Sequence, residues 1–148
     1  MSVDEPVSTD VVSFTMPVAS TNVVLGFSNT QLQYNSTLNS WRAHYGVDLS
    51  CELGSEVYAA LDGTVKSVTT NQLDGTVIVI SHKNGLETVY GSLNQNVNVS
   101  VGDNVLKGQQ LGFIALSATN ELNDGPHLHF EVLQDGNNVD PSLYIAIK

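Results

Sequence analysis

Apolar and polar residues alternate along most of the second half of the chain, in short runs rich in β-branched residues. Such runs are typical of strands. They read SEVYAAL (55–61), TVKSVTT (64–70), GTVIVISH (75–82), LETVYGSL (86–93) and LHFEVLQ (128–134). Weaker patterns predict strands near 11–15 and 22–26, a long polar loop over 28–40, and a hairpin within VGDNVLKGQQLG (101–112). No stretch has a convincing helical period, so we predict an all-β barrel or sandwich.

Turn dipeptides separate these runs. They are Asp62-Gly63, Asp74-Gly75, Asn84-Gly85 and Asp135-Gly136. Such pairs favour tight turns because glycine, and to a lesser extent Asn and Asp, accepts a positive φ. We therefore expect a left-handed backbone at each of them.

A chain of 148 residues is long enough for one domain that buries its own core. Residues 1–10 are acidic and polar, and we expect a flexible lead-in there, followed by one domain over 11–148. No apolar run approaches the ~18–20 residues of a membrane span, and no signal-peptide pattern opens the chain. We interpret the opening MSVDEPVSTD as a linker that follows an upstream membrane anchor absent from this chain.

The charge is strongly acidic, with 15 acidic against 5 basic residues and a net charge of −10. This balance argues against nucleic acid or an anionic membrane surface as the main partner, although it also fits a purely solubilising role. The single cysteine, Cys51, excludes an internal disulfide. Its apolar neighbours favour a buried thiol over a nucleophile.

Two histidines stand one residue apart in the predicted strand GPHLHFEV, so His127 and His129 share one face. The stretch WRAHYGVDL adds His44 and Asp48, four residues apart across Gly46. Two imidazoles and a carboxylate are a normal ligand set for a catalytic zinc, which keeps a fourth position for water. The spacing alone does not decide whether these residues bind zinc, because a single histidine is more often a packed residue than a metal ligand.

Together these motifs resemble the lysostaphin/LytM-type zinc endopeptidases. The resemblance extends from His44 to Tyr144, within a motif core at 41–144, and rests on HYGVDL, GSEVYAALDGTV, GTVIVISHKNGLETVYGSL and GPHLHFEV…VDPSLY. It implies a compact antiparallel β sandwich with a groove, of the duplicated-hybrid-motif type. It also implies a domain of the kind that cuts bacterial cell-wall peptidoglycan.

The resemblance implies a role for each motif residue. His44, Asp48 and His129 are the implied zinc (Zn2+) ligands, and His127 is the implied catalytic histidine beside the metal. His82 matches a histidine outside the catalytic set, and we expect it to be structural or exposed. Glu131 either supports an imidazole N–H or has an ordinary surface role. Latent members block the metal with an upstream amide, for which Asn22, Asn29 and Asn35 are the candidates here.

One position departs from the family pattern. Active members carry a second catalytic histidine after the Asn-Gly hairpin, where this chain reads VYGSLNQ and has Ser92. Ser92 follows Tyr90 at the strand period of two, so we expect both side chains to face the groove. A serine carries no imidazolium charge and exchanges no proton near neutral pH, so we expect a metal site with poor or no turnover.

The stretch TLNSWRAHYGVDL resembles the membrane-anchored sporulation members of the family. That resemblance implies an extracytoplasmic ectodomain of a single-pass membrane protein, in the space between forespore and mother cell. Its implied partner is a mother-cell membrane protein of an intercellular channel, and peptidoglycan is a further candidate ligand.

Three functional hypotheses follow. The first is a zinc-binding, catalytically impaired interaction domain. The second is a working peptidoglycan endopeptidase in which water, Tyr90 or His127 compensates for Ser92. The third is a regulator that binds the wall or an amidase partner without using metal. Ser92 favours the first hypothesis, and the intact ligand set favours the second.

Overall fold

A computed structural model describes residues 14–19, 23–35, 40–71, 75–115 and 126–145. The side chains of 24, 25, 28–35 and 40–44 are outside that description. The predicted lead-in at 1–10 and the first predicted strand, up to residue 13, also lie outside the described residues. The described part of the chain contains no helix that could cross a membrane.

Twelve strands make up nearly all of the regular structure in the described ranges. They are β1 (Val23–Leu25), β2 (Ser28–Asn35), β3 (Ser40–His44), β4 (Val47–Ser50), β5 (Glu56–Tyr58), β6 (Gly63–Asn71), β7 (Gly75–Ser81), β8 (Leu86–Leu93), β9 (Asn104–Val105), β10 (Gln110–Phe113), β11 (His127–Gln134) and β12 (Asn137–Val139). Short 3₁₀ turns occupy Lys83–Gly85 and Pro141–Leu143. The predicted all-β class is confirmed.

The strands form one large antiparallel sheet and two ribbons. The sheet has eight strands in the order β1-β4-β11-β8-β7-β6-β9, with β12 added beside β11. β5 pairs with β10, and β2 pairs with β3. Strand β11 is central, since β4 and β12 pair with its two halves and β8 pairs along most of its length.

The turn chemistry explains the two long hairpins. Asn84 and Gly85 have φ of 63° and 78° between β7 and β8, and Asp135 and Gly136 have φ of 52° and 84° between β11 and β12. Both positions of each turn are left-handed, as the I′ type requires, so these two predictions are confirmed.

The prediction for Gly63 is wrong, because this glycine is not among the residues with positive φ. It lies at the start of β6, where a Cβ would stand 2.7 Å from both His82 Nδ1 and Ile80 Cγ2 and would also clash with the Ser81 carbonyl. Gly63 therefore provides room for a neighbouring ring instead of forming a left-handed turn.

Two predictions of chain path are also wrong. The sequence predicts a loop over 28–40, but β2 and β3 pair there in an antiparallel ribbon, from Ser28 opposite His44 to Asn35 opposite Ser40. Ser, Asn and Gln make up most of 28–40, and these residues are more typical of loops than of strands. Residues 101–112 do not form a hairpin, because β9 pairs with β6 and β10 pairs with β5. The glycines at 102 and 108 are left-handed, but each turn leads to a different partner strand.

The core lies on one face of the large sheet. Its members are fully or almost fully buried apolar side chains, the largest being Tyr90, Phe130, Leu49, Ile78, Ile80, Leu93, Leu111 and Leu128. Tyr90 and Phe130 pack ring to ring at 5.4 Å across the β8–β11 pair. Residues 128, 130 and 132 of β11 point into this core, so 127, 129 and 131 lie on the opposite face.

His82 belongs to a buried chain of hydrogen bonds. Its Nδ1 lies 2.7 Å from the Asp62 carbonyl and its Nε2 lies 2.7 Å from Thr88 Oγ1. A carbonyl only accepts, so Nδ1 carries the proton and Nε2 accepts from Thr88. Thr88 Oγ1 then accepts from the Tyr90 hydroxyl at 2.8 Å, and Tyr90 accepts from the Ala60 N–H at 2.9 Å. His82 is structural, and the hydrogen bond from Thr88 to Nε2 requires its neutral form, because a protonated Nε2 cannot accept.

We predict that this chain makes stability depend on pH. Burial lowers the pKa of His82 from its ordinary 6.5. The unfolded chain binds this proton more readily than the folded protein, so stability falls as pH drops below about 6.5 and the loss ends below the folded pKa. His82→Ala should cost about 2 kcal/mol at pH 7.5 and less at pH 5, measured by urea unfolding with chelator present. A cost that is equal at both pH values would contradict this assignment.

Candidate metal centre

The pairing of β4 with β11 brings two predicted ligands together. Asp48 lies directly opposite His129, between the pairs Leu49–Leu128 and Val47–Phe130. Both flanking pairs are apolar and buried, so they hold the register from the core face. The backbone of His44 ends β3, with two residues between it and the start of β4, and its side chain lies outside the described part of the structure.

The ring of His129 lies between two carboxylates. Its Nδ1 is 2.8 Å from Asp48 Oδ1, and its Nε2 is 2.8 Å from Glu131 Oε2. A neutral imidazole has only one N–H, so it can donate to only one of these two acceptors. When Nε2 donates to Glu131, the lone pair of Nδ1 faces the carboxylate of Asp48, and two electron donors then face each other.

The donor chemistry of this pair fits a divalent cation. Metal-bound imidazoles commonly donate their other ring N–H to a carboxylate, which is the relation of His129 to Glu131. Asp48 is completely buried, and burying a carboxylate is costly unless a positive partner compensates for it. Within the described ranges no group of three or more His, Cys, Asp or Glu side chains is arranged to hold a metal.

His127 lies deeper in the site than His129. It is 3% exposed, with Nε2 3.4 Å from Ser92 Oγ and 3.8 Å from Asp48 Oδ2. The structure therefore brings Asp48, Ser92, His127 and His129 together on one face of the large sheet. The amides predicted to block the metal lie outside the described part of the structure. They are Asn22 and the side chains of Asn29 and Asn35.

A β-bulge in β8 directs the side chain of Ser92 toward His127. Ile78 pairs with Tyr90 and Thr76 pairs with Leu93, so two residues of β8 stand against one of β7. Ser92 itself is left-handed, with φ of 67°. Bulges of this kind bend a strand and redirect a side chain, and they are frequent beside active sites.

This geometry corrects the expectation that Tyr90 and Ser92 face the groove together. Tyr90 points into the core, where it contacts Phe130 and bonds to Ala60 and Thr88. The bulge breaks the alternation between the two positions, so Ser92 emerges on the histidine face. Tyr90 therefore does not compensate for Ser92 at the site.

Asn138 is a site residue that sequence reasoning missed. Its Nδ2 donates to Glu131 Oε1 at 2.9 Å and to the Tyr45 carbonyl at 3.0 Å. A signal was present, because the Asp135-Gly136 turn fixes the hairpin register and sets Asn138 opposite Leu133. That register places Asn138 on the face of the odd-numbered β11 residues, diagonally adjacent to Glu131.

Gly46 allows the ligand-bearing segments to approach each other closely. A Cβ at this position would clash with the Phe130 carbonyl and would stand 2.8 Å from Glu131 Cγ. The link between His44 and Asp48 therefore passes directly over the backbone of β11, which any larger side chain would prevent.

Cys51 takes no part in this chemistry. Burial raises the pKa of its thiol to about 11, and its Sγ donates to the Leu49 carbonyl at 3.2 Å. A thiol that remains protonated at neutral pH is a poor nucleophile. Cys51 is half-buried and packs against the core, so the predicted buried thiol is only partly buried.

The fold and these motifs define a metallopeptidase-type domain. The model of Peptidase family M23 matches residues 42–141, and the chain belongs to this family. The match contains both ligand motifs, the bulge at Ser92 and the β11–β12 hairpin.

Curated relatives include both enzymes and a sporulation protein. The chain is 36% identical over 100 residues to the peptidoglycan DD-endopeptidase ShyC of Vibrio cholerae, covering 68% of this chain and 22% of ShyC. It is 35% identical over 105 residues to the stage II sporulation protein Q of Bacillus subtilis, covering 70% of this chain and 36% of that protein. The match thus spans only about a fifth to a third of these two relatives.

Solved structures show the same two kinds of neighbour. SpoIIQ, in a crystal structure of the SpoIIIAH and SpoIIQ complex, superimposes with a TM-score of 0.76 at 30% identity, covering 88% of this chain and 98% of that one. A zinc-containing peptidase from Vibrio cholerae superimposes with a TM-score of 0.75 at 30% identity, covering 93% of this chain and 41% of that one.

Proposed function

We propose that this domain binds zinc, has lost most or all peptidase activity, and serves as an extracytoplasmic interaction domain of a sporulation channel complex. The observation that carries the proposal is Ser92, in the position where active relatives carry a catalytic histidine. It is 2% exposed and lies 3.4 Å from His127 Nε2.

Three residues of this chain would hold the zinc. Asp48 and His129 already face each other at 2.8 Å, and His44 is added from the family motif H-x-x-x-D. When bound, zinc polarises a carbonyl and lowers the pKa of a coordinated water. The acidic surroundings, with Asp48 on one side of His129 and Glu131 on the other, favour a cation over a neutral ligand.

Ser92 limits what the site can catalyse. A hydroxyl offers one weak hydrogen bond to developing negative charge, whereas an imidazolium offers a charged one. Loss of a single oxyanion donor typically costs ~10²–10³ in rate. His127 is then the one general acid or base that remains of the motif. The second catalytic histidine of the family pattern is missing at Ser92.

The interaction role is supported by the SpoIIQ likeness. The domain aligns with 98% of the SpoIIQ chain in the complex, and sequence identity to Bacillus subtilis SpoIIQ extends over 105 residues. The partner we propose is a SpoIIIAH-like mother-cell membrane protein. The domain would then stand outside the cytoplasm on a single-pass anchor, in the space between forespore and mother cell.

A second candidate function is an active zinc endopeptidase acting on peptidoglycan. The retained donors Asp48, His127 and His129 favour it, because an interaction domain has no chemical need for them. The 36% identity to ShyC also favours it. The experiments below separate the two functions.

We predict different zinc losses for the two histidines of β11. His129→Ala removes the imidazole beside Asp48 and should abolish stoichiometric zinc binding, measured by elemental analysis and chelator competition. His127→Ala is the matched control on the same strand face, and it should retain most of the zinc. Equal loss in both variants would contradict this division of roles, and zinc-free wild-type protein would overturn the metal assignment.

We predict that Ser92→His partly restores hydrolysis. A left-handed backbone accepts histidine better than β-branched residues, and the substitution supplies the missing charge beside His127. Recovery should remain well below the ~10²–10³ cost of a lost donor, because the bulge is not shaped for a ring. The assay compares clearing of a peptidoglycan suspension by the wild type and the variant. A wild type that is already active would favour the endopeptidase.

We predict a stable complex with the ectodomain of the SpoIIIAH counterpart encoded in the same genome. Size-exclusion chromatography with light scattering should show the heterocomplex for wild type and also for His127→Ala, because binding does not require catalysis. Two separate monomer peaks at micromolar concentrations would contradict the interaction role.

A further inference from the structure

We infer that Asn138 is a positioning residue of the metal centre, which couples the two ligand motifs through one side-chain amide. The inference rests on the proposed zinc function and deepens it. Asn138 lies in β12, outside both H-x-x-x-D and H-x-H-x-E.

The geometry of the amide assigns its orientation. Nδ2 has two N–H groups, and both have an acceptor: the Tyr45 carbonyl at 3.0 Å and Glu131 Oε1 at 2.9 Å. Rotating the amide by 180° would place its oxygen against two other acceptors. The donor atom therefore has only one reasonable assignment, and both of its hydrogens are used.

The first hydrogen bond acts on His129 through Glu131. Asn138 holds Oε1 of this carboxylate, while Oε2 accepts from His129 Nε2 at 2.8 Å. With Nε2 protonated, Nδ1 presents its lone pair toward Asp48. Asn138 thus helps to fix both the tautomer and the rotation of the ligand ring.

The second hydrogen bond acts on the other motif. Tyr45 follows His44, and its carbonyl is held where the chain turns from β3 into β4. The next residue, Gly46, packs against the Phe130 carbonyl and Glu131 Cγ with no room for a Cβ. The segment that joins His44 to Asp48 is therefore fixed to β11 by packing at Gly46 and by a hydrogen bond from Asn138.

The chain offers a matched control for this role. Asn137 is the same residue type on the same strand, is exposed, and makes the neighbouring hairpin pair with Gln134. A contribution that came only from hairpin stability would appear in thermal midpoints without a change in metal affinity. A positioning role appears in the metal affinity and in the state of the His129 ring.

The test measures the zinc dissociation constant by competition with a chromophoric chelator, together with apo thermal midpoints. Asn138→Ala should weaken zinc binding by up to about 10-fold, the lower end of the loss typical for a direct partner of a metal ligand, because Asn138 acts through Glu131. Asn138→Gln keeps the amide but displaces it by one methylene, so the loss of zinc affinity should be smaller than in Asn138→Ala. Asn137→Ala should match the wild type. If Asn138→Ala fails to fold, the zinc affinities of Asn138→Gln and Asn137→Ala are compared instead, and this comparison tests the inference.

A second readout works without metal. In metal-free wild type, the ring proton and carbon shifts of His129 should report one fixed ring position, and they should move in Asn138→Ala but keep their wild-type values in Asn137→Ala. Wild-type zinc binding with equal affinity in all variants would overturn the inference and leave the proposed function intact. Zinc-free wild type would overturn the proposed function, and the ring shifts of His129 alone would then decide whether Asn138 positions the ring.

Discussion

The site depends on one register, that of β4 against β11. Asp48 faces His129 because Leu49 and Val47 pair with Leu128 and Phe130 on the buried side. A slip of one residue would turn both imidazoles of β11 into the core and expose two large apolar groups. Hydrophobic packing on one face of the strand pair therefore sets the distance between two predicted metal ligands on the other face.

Much of the fold was predictable because local chemistry dictates it. The Asn84-Gly85 and Asp135-Gly136 turns have the left-handed pairs that their residue types favour, and β7, β8 and β11 follow the alternation of their sequences. The errors arise where long-range packing decides. Gly63 is a glycine because the ring of His82 lies against it, and β9 and β10 pair with distant strands instead of with each other.

The site was predictable as a set of residues but not as an arrangement. The motifs identify Asp48, His127 and His129, yet strict alternation places Ser92 on the face of Tyr90, which the bulge reverses. Asn138 carries no motif at all. The Asp135-Gly136 turn signals the hairpin register that places Asn138 near Glu131, but its bond to a carbonyl 93 residues away in sequence is seen only in the folded structure.

The bulge at Gly91–Ser92 frees the side chain at position 92 from the packing requirements of the sheet. Residue 92 lies outside the regular pairing of β7 with β8, so its side chain neither fills the core nor supports a cross-strand apolar pair. Its positive φ restricts the position to residues that tolerate a left-handed backbone, among which histidine and asparagine are enriched. A substitution at this position can therefore change the chemistry of the histidine face while the sheet and its core stay unchanged.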